Sequence, residues 1–261
     1  MSSSFLYVIA TESASLNFEI LLNNVPVGPA PDSRPVNSQR NVNHWIVEGT
    51  NVLEVRLGLF SGGDREDSSS FQLRLFGGEH GRVPDPKDAL IEFVWDPAAQ
   101  PLGEPLATVF TKEFQAEISF GRWRWQDCPA SALAESDKQE LMQLIRKIHR
   151  AFSEKDMGAL TELLKLNSAE MGRAMDIKEE ELVMGQSQFF KSLFESDGYA
   201  LDPLEEAALV FTPVAGGRLV KVTQPGGQPL LMGADGHGGQ YAGTFMFGKV
   251  AGAWHILRSA S

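Results

Sequence analysis

The chain has 261 residues, 43% of them hydrophobic and 22% charged, with 34 acidic side chains against 23 basic for a net charge of −11. That is enough apolar mass for more than one core, and a field of this sign opposes nucleic acid and anionic membranes while drawing basic partners. The single cysteine, Cys128, excludes an intrachain disulfide and a cysteine metal cage.

Near the start, Phe5 to Ala10 form an apolar run of six with no basic residue before it. A secretory leader needs roughly 7 to 15 apolar residues after a positive start, and a membrane span roughly 20, so a cytoplasmic protein is expected. Phe18, Ile20 and Leu22 then alternate with Glu19 and Leu21 up to a turn at Asn23, Asn24 and Pro26, which is the pattern of a strand. Gly28, Pro29, Pro31, Asp32 and Pro35 crowd into eight residues and predict a loop. Trp45 to Val47 and Val52 to Leu57 flank Gly49-Thr50-Asn51, which predicts a hairpin.

The segment from Ser61 to Ser70 carries Asp64, Glu66 and Asp67 among glycines and serines. Its carboxylates suit Lys and Arg side chains, or a hard cation, but lack the fixed ligand spacing of a calcium loop; the plainer reading is a solvated loop. Strands are further predicted at Phe71 to Phe76, Ala89 to Trp95, Ala107 to Thr111 and Phe114 to Trp125. Within the last, Trp123 and Trp125 would share one strand face and Arg122 and Arg124 the other. Such a tryptophan pair is either a sugar platform or, more simply, the lid of a core or an inter-domain contact. Seven or so short strands predict a β-sandwich domain over residues 1–127. The passage His44 to Val55 resembles a hairpin recurrent in jelly-roll and carbohydrate-binding-like sandwiches, a likeness that implies a fold and brings no sugar-binding residue.

Residues 128–136 read as a linker, after which the periodicity changes. Leu141, Leu144, Ile145, Ile148 and Phe152 lay one stripe on a helix starting near Asp137. Asp156 caps a second helix with Leu160, Leu163 and Leu164, Ser168 a short third one, and Asp176 introduces a fourth in which Leu182, Phe189, Phe190, Leu193 and Phe194 face inward. Strands follow at Ala207 to Val214, Arg218 to Thr223, Pro229 to Met232, Tyr241 to Val250 and Trp254 to Arg258, joined by glycine-rich turns that predict an antiparallel sheet. Helices first and a meander last make residues 137–261 an α+β domain.

Ile148 to Leu160, together with the closing Phe247 to Leu257, resembles the start and end of the nuclear-transport-factor-like cone, in which helices cover a curved sheet. That superfamily includes isomerases, dehydratases and plain binding domains. Its enzymes place an Asp base, a His-Asp dyad or a Tyr inside the cone, which singles out Tyr241 and His255 as ligand contacts. Asp235 and His237 form a conceivable dyad, although they sit in a seven-residue turn with four glycines. There is no Gly-x-Ser-x-Gly elbow, phosphate-binding loop or dinucleotide fingerprint, and no cofactor or metal is implied.

Acidity is shared: residues 1–130 hold 10 basic against 17 acidic side chains, a balance of −7, and the rest 13 against 17, a balance of −4. The assembly of two acidic domains resembles bacterial immunity proteins that neutralise toxins delivered by type VI secretion, in particular nuclease toxins. The resemblance implies a non-enzymatic cytoplasmic protein that binds a basic toxin, through an acidic surface or the cleft between its halves. Asp64, Glu66 and Asp67, and the run Glu179-Glu180-Glu181, are the expected contacts, although glutamates in a first helical turn also favour the helix dipole with no partner. Two alternatives stand beside it: a small-molecule carrier or isomerase-like enzyme using the cone, and a carbohydrate-binding module using the sandwich.

Overall fold

A computed structural model of the chain describes residues 5–28, 35–60, 69–79, 85–103 and 105–260. The chain divides into two units, Met1–Arg122 and Trp123–Ser261, each with its own internal packing. Among the described residues they are a mixture of antiparallel sheets and three α-helices, the α-helices lying in the second unit.

In the first unit the strands are β1 (Phe5–Ala14), β2 (Asn17–Leu22), β3 (Val25–Pro26), β4 (Val36–Asn41), β5 (Gly49–Gly58), β6 (Ser70–Glu79), β7 (Ala89–Val94) and β8 (Ala107–Ala116). They form two four-stranded antiparallel sheets, ordered β4-β1-β6-β7 and β3-β2-β5-β8. Period-two burial does the work: Leu53, Val55 and Leu57 of β5 and Phe71, Leu73 and Leu75 of β6 are buried, with polar residues between them. The buried faces meet through Phe18 and Phe71, whose rings lie 5.4 Å apart, and through Phe93 and Phe110 at 4.6 Å. Asn23 and Asn24, both at positive φ, make the two-residue turn between β2 and β3.

The expected hairpin at Trp45 to Leu57 does not form. Asn43–Trp45 is a single 3-10 turn, and the strand begins only at Gly49. The cause is Asn51, fully buried inside β5. Its amide accepts from Val47 N–H at 2.9 Å and donates to Val47 O at 2.8 Å and Gly49 O at 3.0 Å, which wraps residues 47–50 around it. Asn23 Nδ2 donates to Asn51 Oδ1 at 2.8 Å, completing the amide's hydrogen bonding. In this unit the sequence pattern does not announce three strands: β1, which reads only as an apolar run, the two-residue β3, whose Pro26 reads as part of a turn, and the polar β4. The strands expected at Ala107 to Thr111 and Phe114 to Trp125 are instead one strand that ends at Ala116.

The second unit opens with the stretch Trp123–Ala134, mostly irregular, and continues with α1 (Glu135–Ser153), α2 (Met157–Met175) and α3 (Glu179–Glu195). Strands β9 (Tyr199–Leu201), β10 (Val210–Val214), β11 (Leu219–Thr223), β12 (Leu231–Asp235), β13 (Gln240–Val250) and β14 (Ala253–Ala260) follow in one antiparallel sheet. The long β13 pairs β12 through Gln240–Gly243, β11 through Phe245–Phe247 and β14 through Thr244–Val250. The expected stripe of α1 is buried at Leu141, Ile145, Ile148 and Phe152, and it packs with Phe190, Leu193 and Phe194 of α3 against Val220, Phe247 and Ile256 of the sheet.

Three helices, not four, precede this sheet. Ser168 starts no helix but lies buried within α2, where its hydroxyl bonds Leu164 O at 3.0 Å and Gln186 Oε1 of α3 at 2.7 Å. A buried serine bonding back four residues costs a helix little, so α2 runs through it. Phe189 does not face inward: it is 54% exposed, because the stripe Phe190, Leu193, Phe194 leaves its neighbour on the flank. Among the described residues no helix is long and apolar enough to cross a membrane.

Candidate interaction site

Asp64, Glu66 and Asp67 lie outside the described residues. The other residues singled out by the sequence are all placed, and the structure does not gather them into one site.

Trp123 and Trp125 are not on a strand. Trp125 belongs to a 3-10 turn, Arg124–Asp127, with Trp123 just before it, and Trp123 N–H donates to Gln126 Oε1 at 2.9 Å. Both indoles are buried, so neither offers a face to a sugar. Two guanidiniums of the second unit lie over the Trp123 ring, Arg173 at 5.1 Å and Arg258 at 5.3 Å from its centre. Arg258 and Glu170 are fully buried and joined by a 2.5 Å hydrogen bond. The other oxygen of Glu170 accepts from Arg124 N–H at 2.7 Å and from Arg173 Nη2 at 3.4 Å. Burial pulls Arg258 below the ordinary guanidinium range, and Glu170 opposes it. Cys128, packed beneath the same stretch, has its thiol pushed up to about 11, first by burial and then by Glu170. This cluster fastens the start of the second unit to α2 and β14.

The sequence reading passed over Glu170 and Arg258. Strict alternation, the signal a strand usually offers, fails at the arginine: a bulge at Leu257 sets Arg258, paired with Met246, on the face opposite Ile256, which pairs with Phe247. Glu170 offered no signal either, since a glutamate between Ala169 and Met171 reads as an ordinary helical residue.

Tyr241 and His255 sit on opposite faces of the sheet. Tyr241 stacks on Phe152 of α1 with centroids 5.3 Å apart, and burial raises its hydroxyl's pKa well above the usual tyrosine value. His255 pairs in register with Gly248, whose missing side chain would point to Leu257, Cys128 and Leu219, on the face opposite Phe245 and Phe247, which α1 and α3 cover. The two candidate ligand contacts therefore do not line a common pocket. Asp235 and His237 form no dyad either. Asp235 Oδ1 accepts from His237 N–H at 2.8 Å and Gly239 N–H at 2.9 Å, which lowers its pKa and spends the carboxylate on shaping the turn. The groove between α2 and α3, lined by Thr161, Leu164, Ser168, Gln186 and Phe190 among others, has a volume near 10 Å³, room for about one water.

Glu179, Glu180 and Glu181 occupy the first turn of α3, and all three are exposed. Lys178 approaches Glu181 no closer than 4.0 Å, with both side chains largely in solvent, so the pair holds the carboxylate weakly. The placement satisfies the helix dipole and leaves carboxylate oxygens free to accept from an ammonium or guanidinium arriving from outside. Further along the same helix Met184 and Phe189 are 57% and 54% exposed, with Ile177 just before the helix at 39%. Of the candidate residues, then, this helix carries those that face solvent with unspent chemistry. No protein-family model, no curated protein sequence and no solved structure matches the chain.

Proposed function

We propose that the chain is a cytoplasmic immunity protein that binds and blocks a basic toxin protein, a nuclease being the best fit, and performs no chemistry of its own. The observation that carries this reading is the acid excess, net −11, together with three exposed glutamates in sequence at the head of α3. A nuclease holds phosphates with lysines and arginines, and exposed carboxylates can occupy those groups in place of the nucleic acid. The residues that a catalytic reading would use are committed elsewhere: the Asp235 carboxylate to its turn, Tyr241 to the stack on Phe152. Neither nucleic acid nor an anionic membrane suits this charge as a partner. On the same reading the first unit is a jelly-roll-like sandwich, supported by its two facing sheets, and the second a nuclear-transport-factor-like cone, supported by three helices over an antiparallel sheet.

The test uses the protein encoded beside this one in the source genome. Calorimetry should give a one-to-one complex whose affinity falls as salt is raised from 50 to 300 mM, and the complex should no longer cut plasmid DNA. A folded chain that neither binds that protein at micromolar concentration nor protects DNA from it sinks the reading.

A further inference from the structure

We infer that the outward face of α3 is the docking surface for a basic amphipathic helix of the partner, an assignment that rests on the protein-binding reading above. Two apolar side chains stand out from this helix, Met184 at 57% and Phe189 at 54% exposure, although a helix of this unit already buries Phe190, Leu193 and Phe194 as its own stripe. Phe189 touches the core only along one flank, 5.4 Å from Phe190 and 6.4 Å from Tyr241 between ring centres.

Between Met184 and Phe189 comes Gly185, in mid-helix and exposed. A glycine there is a poorer helix former than alanine. Nothing among the described residues requires it, since a Cβ added at Gly185 would meet none of their atoms within 4 Å. What the missing side chain provides is bare backbone between two apolar side chains, where the backbone of a second helix can come close.

Charge decides the occupant. α3 carries Glu179, Glu180, Glu181 and Glu195 against Lys191 alone. A second copy docked by twofold symmetry would set these glutamates against themselves, and an anionic lipid surface would meet the same repulsion. A helix with apolar anchors between Met184 and Phe189 and lysines or arginines along its rim meets both features at once.

The full chain, isotopically labelled, is titrated with two synthetic 18-residue helical peptides that share one leucine stripe and differ in having a lysine or a glutamate rim. The lysine peptide should shift the amide signals of Met184, Gly185 and Phe189 and bind at least about tenfold tighter than the glutamate one. Phe189→Ser and Gly185→Leu should each weaken it about tenfold; the leucine favours the helix, so its effect cannot be put down to unfolding. Equal affinity for both peptides, or no shift on α3, overturns the assignment. So does a dimer of the chain that Phe189→Ser breaks, which would make the occupant a second copy. A toxin that binds tightly while leaving the α3 signals unmoved refutes this surface and leaves the toxin reading intact.

Discussion

At the scale of single residues, the second unit concentrates its electrostatic cost at one point. Glu170 and Arg258 are both removed from water, and their attraction, the backbone donor from Arg124 and the ring of Trp123 together offset that desolvation. Removing one partner leaves the other charge buried and unpaired. Glu170→Ala should therefore lower the unfolding free energy by about 3 to 5 kcal/mol in urea titrations, while Glu170→Met with Arg258→Met should cost much less than the two single changes added together. A double variant as unstable as that sum would mean that the surrounding contacts, not the charge pair, hold the cluster. The tryptophans show how far sequence alone reaches. Their burial agrees with the lid reading, but the strand that was to align them is absent. Gln126 and Glu170, whose side chains set the backbone at Trp123 and Arg124, are distant or unremarkable in sequence.

At the scale of elements, legibility followed periodicity. The stripe of α1 and the alternation of β2 and β5 were readable because each repeats its own geometry several times. Elements shaped by one side chain were not. Asn51 looked like a turn residue beside Gly49 and Thr50, yet it is the buried hub around which residues 47–50 bend, and Ser168 looked like a cap and lies inside a helix. The three-residue β9 is too short for any pattern and exists through pairing with β12. In the candidate site the glutamate run of α3 was legible as a charge block, whereas the exposed apolar pair was not, because Phe189 falls next to a true core position. Asn51→Asp tests the hub directly. It keeps the acceptors for Val47 N–H and Asn23 Nδ2 but replaces the donors to Val47 O and Gly49 O with a second oxygen, so two carbonyls face a carboxylate. The loss should be about 3 kcal/mol or more, with Asn51→Ala comparable, read as a lowered midpoint of urea unfolding. A loss under about 1 kcal/mol would show that the bend at residues 47–50 holds without the amide.

At the scale of the whole molecule, an excess of carboxylates makes acid the condition that separates general charge from specific pairing. As pH falls toward the isoelectric point near 5.0, self-repulsion fades. What remains sensitive below that point are carboxylates that the fold holds ionised. Asp137, in the first turns of α1, is one: Lys249 of β13 donates to it at 2.9 Å and the Ser131 hydroxyl at 2.7 Å. Those two bonds, the lysine's first, hold its pKa below the ordinary 3.8. Lys249 also reaches Glu140 at 2.9 Å and lies over the ring of Trp254, so the contact ties the head of the helical layer to the closing hairpin. A carboxylate with a lowered folded pKa binds fewer protons folded than unfolded. Its contribution is therefore complete above 3.8 and is lost as pH falls through the depressed value. The stability gap between the native chain and Asp137→Asn should be constant from neutral pH to about 5, narrow below 3.8 and close near pH 2. Urea unfolding followed by tryptophan fluorescence measures that gap at each pH. A gap that persists unchanged to pH 2.5 would assign the role of Asp137 to its neutral hydrogen bonds and not to its charge. Lys249→Met should flatten the pH dependence without abolishing it, because the Ser131 hydroxyl still favours the ionised carboxylate.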